Sequence, residues 1–225
     1  MLSPGVTSKI LWHFTGGPYT DPTTGRQLKE PKPEEEALNH LLSILKEGRI
    51  RANEGLLCYG QYEVHLPPFC CVAEIPIQHL RYHSERYGKF ALGFRRRNLR
   101  EKKFRPVHYV IGDADSDFVL PSILDVWYFL DFQLSADRNA KEKSMLEGVM
   151  KKQATHMCFL KSFLVEESDS VYAEREWRVL GDFVFDPEDL CFIICPEDFL
   201  ERVRPEVPEK YSKIPLASFE DLVEH

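Results

Sequence analysis

The chain has no long apolar run; the longest, such as Cys191–Cys195 (CFIIC), is far too short to cross a bilayer. Its first residues carry no basic start, apolar stretch and small-residue cleavage site, so nothing there reads as a secretory leader. Its six cysteines lack paired spacing, and a chain of 225 residues can bury a core without staples. Reduced thiols and a cytoplasmic location are the expectation. Cys70–Cys71 and Cys191-x-x-x-Cys195 do not match zinc-finger spacings, and His79 and His83 stand four apart without the glutamate of a zinc protease between them. Asp113-x-Asp115-x-Asp117 begins like a calcium loop, then fails at Phe118, where glycine is needed, and at Leu124, where glutamate is needed. No metal is expected. A phosphate-binding glycine loop, a dinucleotide fingerprint and a Gly-x-Ser-x-Gly elbow are also missing.

What is present is an ordinary globular composition, 43% hydrophobic and 29% charged. The net charge of −7 argues against a surface coated for nucleic acid, but it is unevenly spread. Arg95–Arg105 (RRRNLREKKFR) holds seven basic residues and one acid, about +6, which leaves about −13 for the rest. Such a segment either grips phosphates, making nucleic acid a possible partner, or is a solvated helix with its own counterions.

Ile10–Thr15 (ILWHFT) reads as a buried strand ended by Gly16, Gly17 and Pro18, and Thr20–Pro33 as a polar loop. Glu34–Glu47 reads as a helix, with Leu38, Leu41, Leu42 and Leu45 on one stripe, acids in the first turn and Gly48 at the cap position. Pro68–Ile75, Lys89–Phe94, Pro106–Ile111, Glu176–Phe185 and Leu190–Cys195 read as strands. Helices are expected from about Ile77 to Tyr87, closed by Gly88, and after Pro196. Asn98 with Glu101 forms a capping-box-like start for a short basic helix. Residues from about 117 to 165 read as a helical insertion, divided by the polar stretch Ser135–Lys143. The expected fold is a single α+β domain over 1–225, with a mixed, mainly antiparallel sheet and flanking helices.

Three constellations could carry chemistry. In Tyr172–Arg178 (YAEREWR), Glu174 and Glu176 are two apart at a strand mouth and point to one side. Carboxylates held that close raise at least one pKa, which suits acid/base work, although Arg175 and Arg178 also allow a plain charge ladder. His13, between Trp12 and Phe14, is either a satisfied core histidine or a rigidly held polar group for one ligand. Arg81–Gly88 (RYHSERYG) could pair Arg86 with a diphosphate and stack Tyr87 on a ring, or form a polar helix face.

Taken in order, Leu11–Thr15 (LWHFT), Ile44–Ile50 (ILKEGRI), Cys71–Ile77 (CVAEIPI), Arg86–Phe94 (RYGKFALGF), Pro106–Val110 (PVHYV) and Glu174–Leu180 (EREWRVL) resemble the bacterial AbiGi-like abortive-infection (phage-resistance) proteins. The resemblance spans roughly Leu11 to Phe185. It implies an antiviral-defence role within a toxin–antitoxin pair. The layout of the family is similar to ADP-ribosyltransferase-like domains, which implies NAD as substrate. On that resemblance His13 would hold the nicotinamide ribose or amide, and Arg86 or Arg81 would meet the diphosphate. Glu176 would stabilise an oxocarbenium-like transition state, and Glu174 would orient the acceptor. Two other readings stand beside it: a non-catalytic antitoxin or sensor that binds a partner protein, and a nucleic-acid-acting enzyme using 95–105. The first reading needs His13 and Glu176 to face one cavity; the last needs the basic segment to border it.

Overall fold

The computed structural model describes residues 8–17, 30–59, 62–111, 119–163 and 174–223. Most of the expected loop, at 20–29, and the Asp113–Asp117 run lie outside them. In chain order the elements are β1 (Ile10–Phe14), α1 (Glu34–Glu47), β2 (Arg49–Ile50), β3 (Asn53–Tyr59), β4 (Tyr62–Ala73), α2 (Leu80–Tyr87), β5 (Ala91–Arg95) and α3 (Arg96–Glu101). There follow β6 (Arg105–Pro106), β7 (His108–Ile111), α4 (Val119–Ser135), α5 (Ala140–Met157), β8 (Leu160–Phe163), β9 (Glu176–Leu180), β10 (Phe183–Val184), β11 (Leu190–Cys195), α6 (Leu200–Val203), β12 (Leu216–Ser218) and α7 (Phe219–Val223). The main sheet runs β12-β11-β5-β1-β4-β9-β6, with β3 added to β4. All its pairings are antiparallel except β11 with β12. Two small sheets, antiparallel β10–β2 and parallel β7–β8, complete an α+β fold with a mixed, mainly antiparallel sheet.

Strand alternation sorts the sheet into two faces, and β1 shows how. Leu11 and His13 face α1, where Leu11, Leu38, Leu41, Leu45, Leu92 and Phe94 form the largest core cluster. Trp12 and Phe14 face the other way, into a second cluster with Ala73, Leu80, Ala91 and Phe219. The Trp12 indole N–H, fully buried, is satisfied by the Ile75 carbonyl at 3.0 Å. A third cluster joins the β3–β4 hairpin to the α4–α5 pair through Leu66, Leu124, Met157 and Leu160. Helix α1 forms as its leucine stripe predicts. It ends at Gly48, whose φ of 64° lets its N–H reach the Ile44 carbonyl at 2.9 Å.

Several expectations are corrected. The strand expected from Pro68 begins six residues earlier and carries Pro67 and Pro68 within it, next to the register shift of the β3–β4 ladder. The single strands expected over Pro106–Ile111 and Glu176–Phe185 each divide between two sheets, the second at Gly181 (φ 72°). Leu160–Phe163, expected as helix, is a strand because it pairs in parallel with β7. The Asn98 capping box does not form: the cap position is Arg95, and the Asn98 amide donates to the Glu188 carbonyl at 3.0 Å instead. The helix expected after Pro196 is present as consecutive short pieces, a 3-10 turn over Glu197–Phe199, the four-residue α6 and a 3-10 turn over Arg204–Glu206. The expected division of the helical stretch is present, with Asn139 capping α5 by accepting from the Glu142 N–H at 3.0 Å. Among the described residues no helix is long and apolar enough to cross a membrane.

Candidate functional site

Two polar sites emerge, one on each face of the sheet. The first is built where β9 meets β8 and the end of α2. Glu176 pairs across the sheet with Ala73, and Ala73 with Trp12, so its side chain leaves on the Trp12 face. Arg175, in the left-handed region at φ 43°, turns the chain just before β9. Glu174 and Glu176 nonetheless reach the same partner: the Lys161 ammonium lies 2.5 Å from an oxygen of each. Arg178, on the same face of β9, donates to the other Glu176 oxygen at 2.6 Å and to the Cys158 carbonyl at 2.6 Å, and its guanidinium lies over the Phe69 ring. The Tyr87 hydroxyl donates to Glu174 at 2.6 Å, and the Tyr109 hydroxyl accepts from the Glu176 N–H at 2.8 Å.

Tyr87 is fixed from behind by glycine. A Cβ on Gly17 would stand 2.6 Å from the Tyr87 ring, and one on Gly16 would stand 2.7 Å from its carbonyl oxygen, so the chain after β1 must be bare to let α2 approach. His83 stacks on Tyr87 with ring centroids 4.1 Å apart, and the Arg86 guanidinium lies 5.8 Å from the same ring. The buried Nε of Arg86 has no hydrogen-bond partner among the described residues. Arg81 is exposed on the same helix, where its carbonyl accepts from Ser84.

The electrostatics of this cluster turn on the Lys161 and Arg178 cations. Burial pushes the Glu176 carboxyl up, but the charges and hydrogen bonds of Lys161 and Arg178 outweigh it and hold the group below the usual carboxylate range. Burial likewise pushes Lys161 down, and Glu176 and Glu174 outweigh that and raise it. The ammonium sits between the two carboxylates, a cation that the sequence expectation lacked. His83 is driven down to about 3 by burial and by the positive Lys161 and Arg86, so it is neutral. The Tyr109 phenol is pushed up to about 12, chiefly by burial. Lys161 thus bridges Glu174 and Glu176, and Arg178 holds the second Glu176 oxygen.

The second site is a cleft of about 450 Å³ on the α1 face, lined among others by His13, Lys32, His40, Glu47, Arg49 and Arg51. His13 donates from Nδ1 to the Cys71 carbonyl at 3.0 Å, because a carbonyl can only accept. Burial holds its pKa below the ordinary value, with His40 adding to the effect. A neutral imidazole with Nδ1 so tied leaves Nε2 as an acceptor. The cations around it are largely matched: Lys32 by Glu36 at 3.4 Å, Arg51 by Glu47 at 2.9 Å, and Arg49 by Glu47 and Asp182, each at 3.4 Å.

His13, Arg86 and Glu176 therefore do not line one concave site. The sheet brings Tyr87, Arg86, Glu174 and Glu176 together and puts His13 on its other face, because odd and even positions of β1 leave on opposite sides. Sequence reasoning missed Lys161, the centre of the cluster; its one signal is a single lysine inside the apolar run Cys158–Val165 (CFLKSFLV). Among the described residues no group of three or more potential ligands gathers around a metal position.

These features define a mixed α+β protein in which Glu174 and Glu176 form ion pairs with Lys161 and Arg178. Residues 60–204, well over half of the chain, match the family model described as "Putative abortive phage resistance protein AbiGi, antitoxin". The chain belongs to this family. No curated protein and no solved structure matches it.

Proposed function

We propose that this protein is an antitoxin-type component of a phage-defence system that acts by binding a toxin protein through the α4–α5 helical pair. The observation that carries the reading is a concentration of exposed apolar side chains. Val126 (49% exposed), Phe129 (61%) and Phe132 (70%) stand at i, i+3 and i+6 on the outer side of α4, and Met145 (65%) and Val149 (42%) at i and i+4 on α5. The inner side of the pair is already used, since Leu124, Trp127 and Met157 pack against the β3–β4 hairpin. Exposed aromatics on a helix that has spent its other face on the core are expected where a partner docks. The description of the family as an antitoxin supplies the kind of partner.

The finer reading, ADP-ribosyl transfer from NAD, is not carried into the proposal. Both Glu176 oxygens are engaged by cations at 2.5 and 2.6 Å, and the histidine it would work with faces the other side of the sheet.

The test is growth rescue on co-expression with the toxin of its system. Wild type is expected to restore growth, and Phe129→Asp with Phe132→Asp to lose rescue at unchanged soluble level. Rescue by the double variant equal to wild type would move the interface elsewhere. Dimerisation of the isolated protein that the double variant abolishes would assign the stripe to a second copy instead.

A further inference from the structure

Five of the seven basic residues of Arg95–Arg105 fall into two populations. Arg96 and Lys102 turn inward to buried acids: Arg96 reaches Glu74 at 2.8 Å, and Lys102 reaches Asp189 at 2.7 Å. Arg97, Arg100 and Arg105 turn outward and line a separate groove of about 710 Å³ with Glu101, Phe104, Pro106 and Trp177. Their only carboxylate partner among the described residues is Glu101, at 3.6 Å from an Arg97 whose side chain is 90% exposed. Such a pair contributes little. Arg105 is aimed by two backbone carbonyls, donating to Phe104 at 2.8 Å and Arg100 at 3.2 Å. Trp177 is fixed by its indole N–H on Glu74 at 3.0 Å and forms part of the groove wall. The groove lies along β6, the outermost strand of the sheet.

We infer that this groove binds a short stretch of single-stranded nucleic acid, with Arg97, Arg100 and Arg105 on successive phosphates and Trp177 offering its ring to a base. Guanidiniums whose one carboxylate pair among the described residues is solvent-exposed, set beside an indole and a proline, are the elements of a single-strand track. The rest of the chain carries about −13, so a long duplex is repelled beyond the patch, whereas a single strand can curl onto it. The groove does not border the His13 cleft, which separates this binding from any chemistry there.

The experiment is fluorescence anisotropy of the purified full chain with a labelled single-stranded RNA of about 12 nucleotides, titrated at several salt concentrations. Neutralising about three phosphates on a single strand predicts a log–log salt slope of about −2. Arg97→Ala with Arg100→Ala should bring it to about −0.7. Trp177→Leu should weaken binding about tenfold or more at an unchanged slope. Arg202→Ala, which removes an exposed arginine paired with Glu35, should change nothing. Absence of saturable binding at about 50 mM salt overturns the proposal, as does a double-alanine variant that keeps the wild-type slope. A short polyglutamate that competes as well as the RNA also overturns it, by assigning the groove to acidic peptide. No toxin is present in the assay, so its outcome is independent of the antitoxin reading.

Discussion

Lys161→Met would expose the logic of the Glu174–Lys161–Glu176 cluster. Each carboxylate oxygen is 2.5 Å from the same nitrogen, so the two oxygens are no more than 5 Å apart. At that separation two unit charges repel by about 3 kcal/mol with the effective dielectric that suits protein sites. Breaking a buried pair from one side costs about 3–5 kcal/mol. Arg178 and Tyr87 remain on the carboxylates, and the Lys161 side chain is 19% exposed, so about 2–4 kcal/mol is expected at neutral pH. The pH dependence distinguishes this from lost packing. In wild type the depressed Glu176 contributes stability that persists above its unfolded pKa and is lost only as pH falls through the folded value. In the variant the repelling pair has a raised folded pKa, so it takes up a proton and regains stability as pH is lowered, by about 1 kcal/mol per pH unit. Urea denaturation followed by far-ultraviolet circular dichroism at pH 7.5 and 5 gives both numbers. A difference from wild type below about 1 kcal/mol, or one that does not shrink on acidification, would refute the reasoning.

Other outcomes follow from the same structure. His13 and His83 are both held below the ordinary histidine pKa, His83 to about 3, so wild-type stability should be complete above about pH 6.5 and fall by about 1 kcal/mol per pH unit for each histidine below it. His83→Gln should flatten that decline in urea midpoints, and an equally steep decline would contradict the assignment. Gly48→Ala should lower stability by about 1 kcal/mol through its φ of 64°, read as a shift of the thermal midpoint; no shift would count against backbone strain at the α1 cap. Cys70, Cys71, Cys158, Cys191 and Cys195 are unbonded, so thiol titration in non-reducing denaturant should count all six cysteines of the chain as free; a smaller count would contradict this.

How far the sequence was legible depends on the range over which each signal acts. Helix α1 was visible because stripe, acids and cap are all local. So was β1, with the strong period of ILWHF. The hairpin β3–β4 was missed because two prolines interrupt its second strand and its pairing rests on partners outside the segment. Strand β8 was missed for a similar reason, as only its parallel partner β7 distinguishes it from the end of α5. The proximity of Glu174 and Glu176 was read correctly from their spacing. The lowering of the Glu176 carboxyl was not, because the deciding charge, Lys161, lies 15 residues away. The separation of His13 from Glu176 depends on two strand registers through β4, which no motif encodes.

The central claim is that the outer side of the α4–α5 pair holds a toxin. Its most direct test is calorimetric titration of the purified toxin into wild type and into the variant carrying Phe129→Asp and Phe132→Asp. Both side chains are exposed at 61% and 70%, so the variant should unfold within about 0.5 kcal/mol of wild type while losing about two decades or more of affinity. A folded double variant that binds the toxin as tightly as wild type would contradict the account.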